Sequence, residues 1–217
     1  MDLIYIIREY WPMFARGAEM TLFLTVTSAL LAFLIGSIVA VMRIGPIPPL
    51  RAAASVYIEI MRAIPLLALI ILFLVALPKI GIFYSTTISA ILTLGIYTGA
   101  YVAEALRAGF RTVPKGQIEA ARALGMTFRG MFLNVLLPQS IRSVIPPMGN
   151  LLISNIKATA LAGAVGVQEI YWAAARVNFD SARSIAVFTL AAICYLCIAL
   201  PTGFLWRKLE ARMKIVR

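Results

Sequence analysis

The sequence predicts an all-α membrane protein with five transmembrane helices, and three observations carry that reading. Of the 217 residues, 62% are hydrophobic and 13% charged, a composition outside the range of soluble domains. Apolar stretches follow one another with no soluble-looking block between them, each near the roughly 20 residues a helix needs to cross the hydrocarbon core. The Lys and Arg residues fall between those stretches instead of gathering on one water-facing surface. That placement directs the net charge of +11 towards the lipid bilayer and away from nucleic acid. A single membrane domain over residues 1–217 is expected.

The elements follow in chain order. Leu3, Ile6, Ile7, Tyr10, Trp11 and Phe14 recur at helical spacing, with Asp2, Arg8 and Glu9 among the polar positions, which predicts an N-terminal interfacial helix. The first long apolar stretch, residues 21–42, exceeds the core of a cleaved signal peptide and is expected to be retained. Spans are placed at residues 20–42, 56–77, 86–106, 140–162 and 185–206. An odd number of spans puts the termini on opposite sides, and charge sets the direction. With the N-terminus outside, the inner segments hold Arg43, Arg51, Arg107, Arg111, Lys115, Arg122, Arg129, Arg207, Lys208, Arg212, Lys214 and Arg217. The outer segments then hold Arg8, Arg16, Lys79, Lys157, Arg176 and Arg183, diluted by Asp2, Glu9, Glu19, Glu169 and Asp180. Basic residues near span ends stay in the cytoplasm, so the expected orientation is N-out, C-in.

The inner segment at about 107–139 is more polar than a connection requires. Ile118, Ala121 and Leu124 share a helical face, Gly125 breaks the helix, and a second amphipathic stretch runs over 127–137 before Pro138. Two short helices at an angle result, either a docking element or a pair resting on lipid headgroups.

The second and third spans carry Glu59 with Arg62, and Glu104 with Arg107. At this spacing each pair can neutralise itself locally. The other reading is a role in passage or gating, with Pro65 kinking the second span beyond Arg62. The fourth span contains Pro146 and Pro147 and then Asn150, Ser154, Asn155 and Lys157, all costly against hydrocarbon. Asn150, Ser154, Lys157 and Leu161 stand at i, i+4, i+7 and i+11, one stripe able to look into a watery path. Lys157 reads either as part of that path or as an outer-interface lysine that snorkels.

Several chemistries are missing. Histidine is absent, and the cysteines, Cys194 and Cys197, lie inside an apolar run, where they read as small hydrophobes instead of metal ligands. The acids are dispersed, which argues against a membrane-embedded enzyme. No G-x-x-x-x-G-K-[ST] occurs, so the chain carries no P-loop for ATP.

The stretch Glu119-Ala120-Ala121-Arg122-Ala123-Leu124-Gly125, followed after nine residues by Val135-Leu136-Leu137-Pro138, resembles the E-A-A-x-x-x-G-x9-I-x-L-P loop in permease subunits of ATP-binding cassette importers. Further matches resemble the subfamily for polar amino acids and opines: Gly17, Thr21 and Leu22 at the entry to the first span, Glu59 to Leu67, and Ala100 to Glu104. Lys115 to Gln117, the run Leu137-Pro138-Gln139 with Arg142, Pro146, Pro147 and Asn150, and Lys157 to Leu161 also fit. The resemblance covers about residues 17–201. Two departures stand out: Ala63-Ile64 where the family often has Gly-Thr, and Ala158 and Ala160 where it carries polar residues.

The resemblance implies a non-enzymatic permease that uses no cofactor of its own. Its partners would be an ATPase dimer that binds the ATP, a second permease subunit, identical or homologous, and an extracytoplasmic solute-binding protein. Glu119, Ala120, Ala121, Gly125 and Pro138 would couple to the ATPase. Asn150, Ser154, Lys157, Glu59, Arg62 and Glu104 are the candidates for the substrate path. The cargo would be a polar L-amino acid, leaning to glutamate or aspartate because some acidic amino-acid permeases also lack the Gly-Thr. An opine or a basic amino acid is the alternative within the family. A stand-alone channel or secondary carrier would need no such loop.

Overall fold

The protein is described by a computed structural model covering residues 2–213. Lys214 and Arg217, counted above on the inner side, lie outside the described residues. Among those residues there are nine α-helices and no strand: α1 Asp2–Ile44, α2 Pro48–Ala63, α3 Leu66–Lys79, α4 Thr86–Phe110, α5 Lys115–Ala123, α6 Phe128–Met131, α7 Leu137–Ala164, α8 Ile170–Ser181 and α9 Ser184–Met213. A π-helical stretch, Phe132–Leu136, joins α6 to α7.

Three of these helices, α1, α4 and α9, are long and apolar enough to cross a membrane, and α2 with α3 makes a fourth if the bent pair is one span. The predicted second span is thus broken, not merely kinked. Its two halves meet at 102°, where Ile64 takes an extended conformation and Pro65 precedes the first turn of α3; the residue before a proline is pushed out of the helical region. The fourth predicted span corresponds to α7. At 28 residues it has the length, but its polar groups keep it from reading as apolar.

The predicted interfacial helix is corrected. Residues 2–19 continue into the first span as one 43-residue helix. Ile6 and Phe14 are buried in a cluster with Ile170 and Val177 of α8 and Val187 and Leu190 of α9. With Leu3 and Tyr10 packed against that cluster, this side of the stripe meets protein, not headgroups, while Ile7 and Trp11 stay exposed.

Inside the bundle two buried polar side chains of α1 are satisfied along the helix itself. Thr25 and Ser28 donate to the carbonyls of Thr21 and Leu24 at 2.7 and 2.6 Å, as hydrocarbon surroundings demand. Small residues let the helices close up. A Cβ on Gly36 of α1 would lie 2.6 Å from Cβ of Val102 on α4, and one on Gly149 of α7 would strike the Trp206 indole of α9. This is the close packing expected where burial of apolar surface gives no drive between helices. Pro146 and Pro147 do not interrupt α7. Just before them, the Ile145 carbonyl accepts a hydrogen bond from Trp206 Nε1 at 2.6 Å.

Candidate coupling helix and membrane path

The segment between α4 and α7 builds a small core of its own. Val113, Ala121, Met131 and Leu136 are buried together, with Phe110, Ile118 and Phe132 packed against them. The inward face of α5 therefore rests on its own hairpin. Ala121 and Ile118 join that face as expected, but Leu124 does not: it is 81% exposed, because the helix ends there and the chain turns. Glu119, Ala120, Arg122 and Leu124 all point outward.

Gly125 sits at φ +72°, in the left-handed region that glycine tolerates and side chains resist. No atom lies within 4 Å of where its Cβ would be, so backbone conformation, not bulk, requires glycine. Thr127 then caps α6 by accepting from Gly130 N–H at 3.2 Å.

Two polar contacts tie α5 and its leading loop to the start of α7. Gln139 donates to Gln117, and the hydroxyls of Thr112 and Ser143 are 2.9 Å apart. Pro138 comes just after the π-helical stretch, inside a helical run unbroken from Phe128 to Ala164, so it does not close the helix before it.

The path candidates separate clearly on α7. Asn150, Ser154 and Lys157 are exposed along one stripe, with Leu161 partly buried. Asn155, on the opposite face, is buried: its Nδ2 donates to Ser28 Oγ at 2.8 Å and to the Thr25 carbonyl at 3.3 Å, and its Oδ1 accepts from Thr98 at 3.3 Å. Asn150 and Lys157 line a groove of about 350 Å³ between α7 and α9.

The two acid–base pairs also part company. Arg107 makes a two-pronged ion pair with Glu104, its Nε 2.9 Å from Oε2, as the local reading expects. Arg62 forms no ion pair with Glu59 among the described residues; both are exposed, and the guanidinium lies over the Tyr101 ring with its Cζ 5.6 Å from the centroid. The Tyr101 hydroxyl is 3.1 Å from that of Tyr97.

One residue escaped sequence reasoning. Glu169, counted there only as a charge diluting the outer side, is 0% exposed. It caps α8 by accepting from Trp172 N–H at 3.0 Å and also accepts from Thr21 Oγ1 at 3.3 Å and from the Tyr195 hydroxyl. Gly163 leaves room for this carboxyl group, and a Cβ on Gly17 would press its backbone at 3.0 Å. Burial pushes the carboxyl above the ordinary carboxylate range, opposed by hydrogen bonds from Tyr195, the backbone of Trp172 and Tyr171, and Thr21. Its partners come from α1 and α9, 148 and 26 residues away, distances at which no local pattern signals a contact.

Cys194 is buried and Cys197 exposed, both as free thiols. No group of three or more potential metal ligands occurs among the described residues.

The chain is similar to known proteins in sequence and in fold. Residues 6–215 match the family described as the binding-protein-dependent transport system inner membrane component. The chain is 34% identical to a probable glutamine ABC transporter permease protein, GlnM, of Bacillus subtilis (strain 168), over 97% of this chain and 98% of that one. It is 35% identical to the glutamate transport system permease protein GluC of Corynebacterium efficiens, over 90% of this chain and 91% of that one. A solved amino acid ABC transporter, crystallised with histidines, superposes with a TM-score of 0.91 at 32% identity, covering 98% and 99% of the two chains. The MetNI methionine ABC transporter shares the fold, with a TM-score of 0.79 at 22% identity, over 94% and 97%. The chain belongs to the inner membrane components of binding-protein-dependent transport systems, multi-pass proteins of the membrane.

Proposed function

We propose that the chain is the permease subunit of an ATP-driven importer that carries a polar L-amino acid, inserted N-out and C-in with five spans. The observation that carries this reading is the division of α7: its packed face is satisfied inside the bundle, and its polar stripe of Asn150, Ser154 and Lys157 is turned outward. Polar groups in a span are expensive against lipid, so this stripe faces water or a second subunit across the path. The relatives named for glutamine and glutamate transport support an amino acid as cargo. An amino-acid zwitterion brings a carboxylate and an ammonium that both need compensation once dehydrated, and an amide, a hydroxyl and a lysine along one face suit it.

Two permease subunits pair about a two-fold axis, and each receives one ATPase subunit on the outward face of α5, where Glu119 and Leu124 are presented. The ATPase binds and hydrolyses the ATP; the permease needs no cofactor. A solute-binding protein delivers the cargo from outside. Because α5 is fastened to α7 through Gln117–Gln139 and Thr112–Ser143, closure of the ATPase dimer moves α7 with the docking helix. The inner mouth closes as the outer one opens.

The test is reconstitution with the ATPase and binding protein. Gly125→Val forces a β-branched residue into the left-handed region, which costs roughly 1–2 kcal/mol. It should leave the subunit inserted while separating ATP hydrolysis from uptake. Normal coupled uptake in this variant would contradict the docking role of α5.

A further inference from the structure

Of the charged path candidates, Glu104 is taken by Arg107. That leaves Arg62, Lys157 and Glu59 with no ion pair among the described residues. Arg62 closes the last turn of α2, immediately before the 102° bend, and reaches over Tyr101 of α4. Tyr97 and Tyr101, one turn apart, face each other through their hydroxyls. Their rings lie 5.2 Å apart, and Tyr97 packs against the buried cluster of Leu66, Ile70 and Leu94, which Ala158 and Leu161 of α7 also cover. The row of Arg62, Tyr101 and Tyr97 thus leads to the cluster shared by Leu161, at the far end of the α7 stripe.

The chemistry of that row is one-sided. Two hydroxyls sharing one hydrogen bond have one hydrogen left over, whichever of them donates, and no other acceptor for it occurs among the described residues. Beside it stands a guanidinium with five N–H donors and no acceptor of its own. A surplus of donors with a positive charge calls for an anion with two acceptor oxygens, and arginine matches a carboxylate in two-pronged geometry. Among the path candidates alone, the charges without an ion pair agree. Two cations, Arg62 and Lys157, and one acid, Glu59, complement a solute with two carboxylates and one ammonium. A neutral amino acid would leave one cation uncompensated.

Resting on the importer reading above, we propose that Arg62, Tyr101 and Tyr97 form a carboxylate-recognition site beside the α7 stripe, and that the cargo is an acidic amino acid whose second carboxylate it reads.

The experiment measures uptake of labelled L-glutamate and L-glutamine, which differ by carboxylate against carboxamide, in vesicles holding the full complex. The binding protein is the same in every arm, so any change in the glutamate-to-glutamine ratio of kcat/KM reports the permease. The wild type should prefer glutamate. Tyr101→Phe, which removes one oxygen and no packing volume, should lower that ratio roughly tenfold, mainly through KM for glutamate. Arg62→Gln should lower it further, and Arg62→Lys should restore part of it. An unchanged ratio in Tyr101→Phe and Arg62→Gln, or a wild type that prefers glutamine, overturns the carboxylate site and leaves the importer reading standing. A wild type that moves no amino acid overturns both.

Discussion

Asn150 and Asn155 sit five residues apart on α7, and their surroundings differ in every respect that matters to an amide in a membrane. Asn155 is buried, with partners from α1 and α4 for both ends of its side chain. Asn150 is exposed beside a groove it shares with Lys157. The first amide is part of what holds three helices together; the second is available to something outside this chain. A polar residue in a span is thus not by itself a sign of a path, and the helix face decides.

The largest expected effect comes from breaking the packed side. Asn155→Leu leaves Thr98 and the Thr25–Ser28 segment without their partner, at a cost of about 1–3 kcal/mol for each buried polar group left unpaired. The purified subunit should show a clearly lower Tm and poor yield, and an unchanged Tm would erase the contrast. On the open side, Asn150→Leu should leave Tm nearly unaltered, within about 0.5 kcal/mol as for an exposed site, and keep the ATPase docked while uptake is lost. Uptake at the wild-type rate would remove Asn150 from the path. Leu152→Ile, on the packed face but conserving volume, should cost less than about 1.5 kcal/mol and transport normally; a loss of uptake would mean that the two faces are not independent.

The smallest effect concerns Glu169. Its carboxyl is held above its unfolded value by burial, so the folded protein binds its proton more tightly than the unfolded chain. The stabilisation is fully present below the unfolded pKa and fades as pH rises through the folded one. Wild-type stability should therefore fall relative to Glu169→Gln as pH is raised through that window, read as the difference in Tm between the two proteins. A constant difference would mean that the hydrogen bonds from Tyr195, Trp172 and Thr21 fully offset burial.

Much of this was legible in the sequence, and the limits have physical causes. The α5 hairpin was readable because Ile118 and Ala121 follow the helix period and Gly125 interrupts it. The stripe of Asn150, Ser154 and Lys157 was readable for the same reason. Periodicity could not assign Asn155 to the core, since its partners Ser28 and Thr98 are 127 and 57 residues away. The N-terminal stripe of Ile6 and Phe14 was correctly apolar, yet a period does not say whether the surface it meets is lipid or protein. Pro65 marked a bend, but its size follows from the extended backbone at Ile64. Tyr97 and Tyr101 share a helix face at i and i+4, a signal that passes for ordinary core until Arg62 is found over one ring.

The division of α7 is tested most directly by single cysteines at positions 150, 154, 157 and 155 in a chain with Cys194 and Cys197 replaced, assembled with its partners and treated with a water-soluble thiol reagent. Asn150→Cys, Ser154→Cys and Lys157→Cys should label, and transported amino acid should slow their labelling, while Asn155→Cys stays unreactive in the folded complex. Labelling of Asn155→Cys at the same rate as the other three, or no protection of any of them by the cargo, would contradict the assignment of this face to the path.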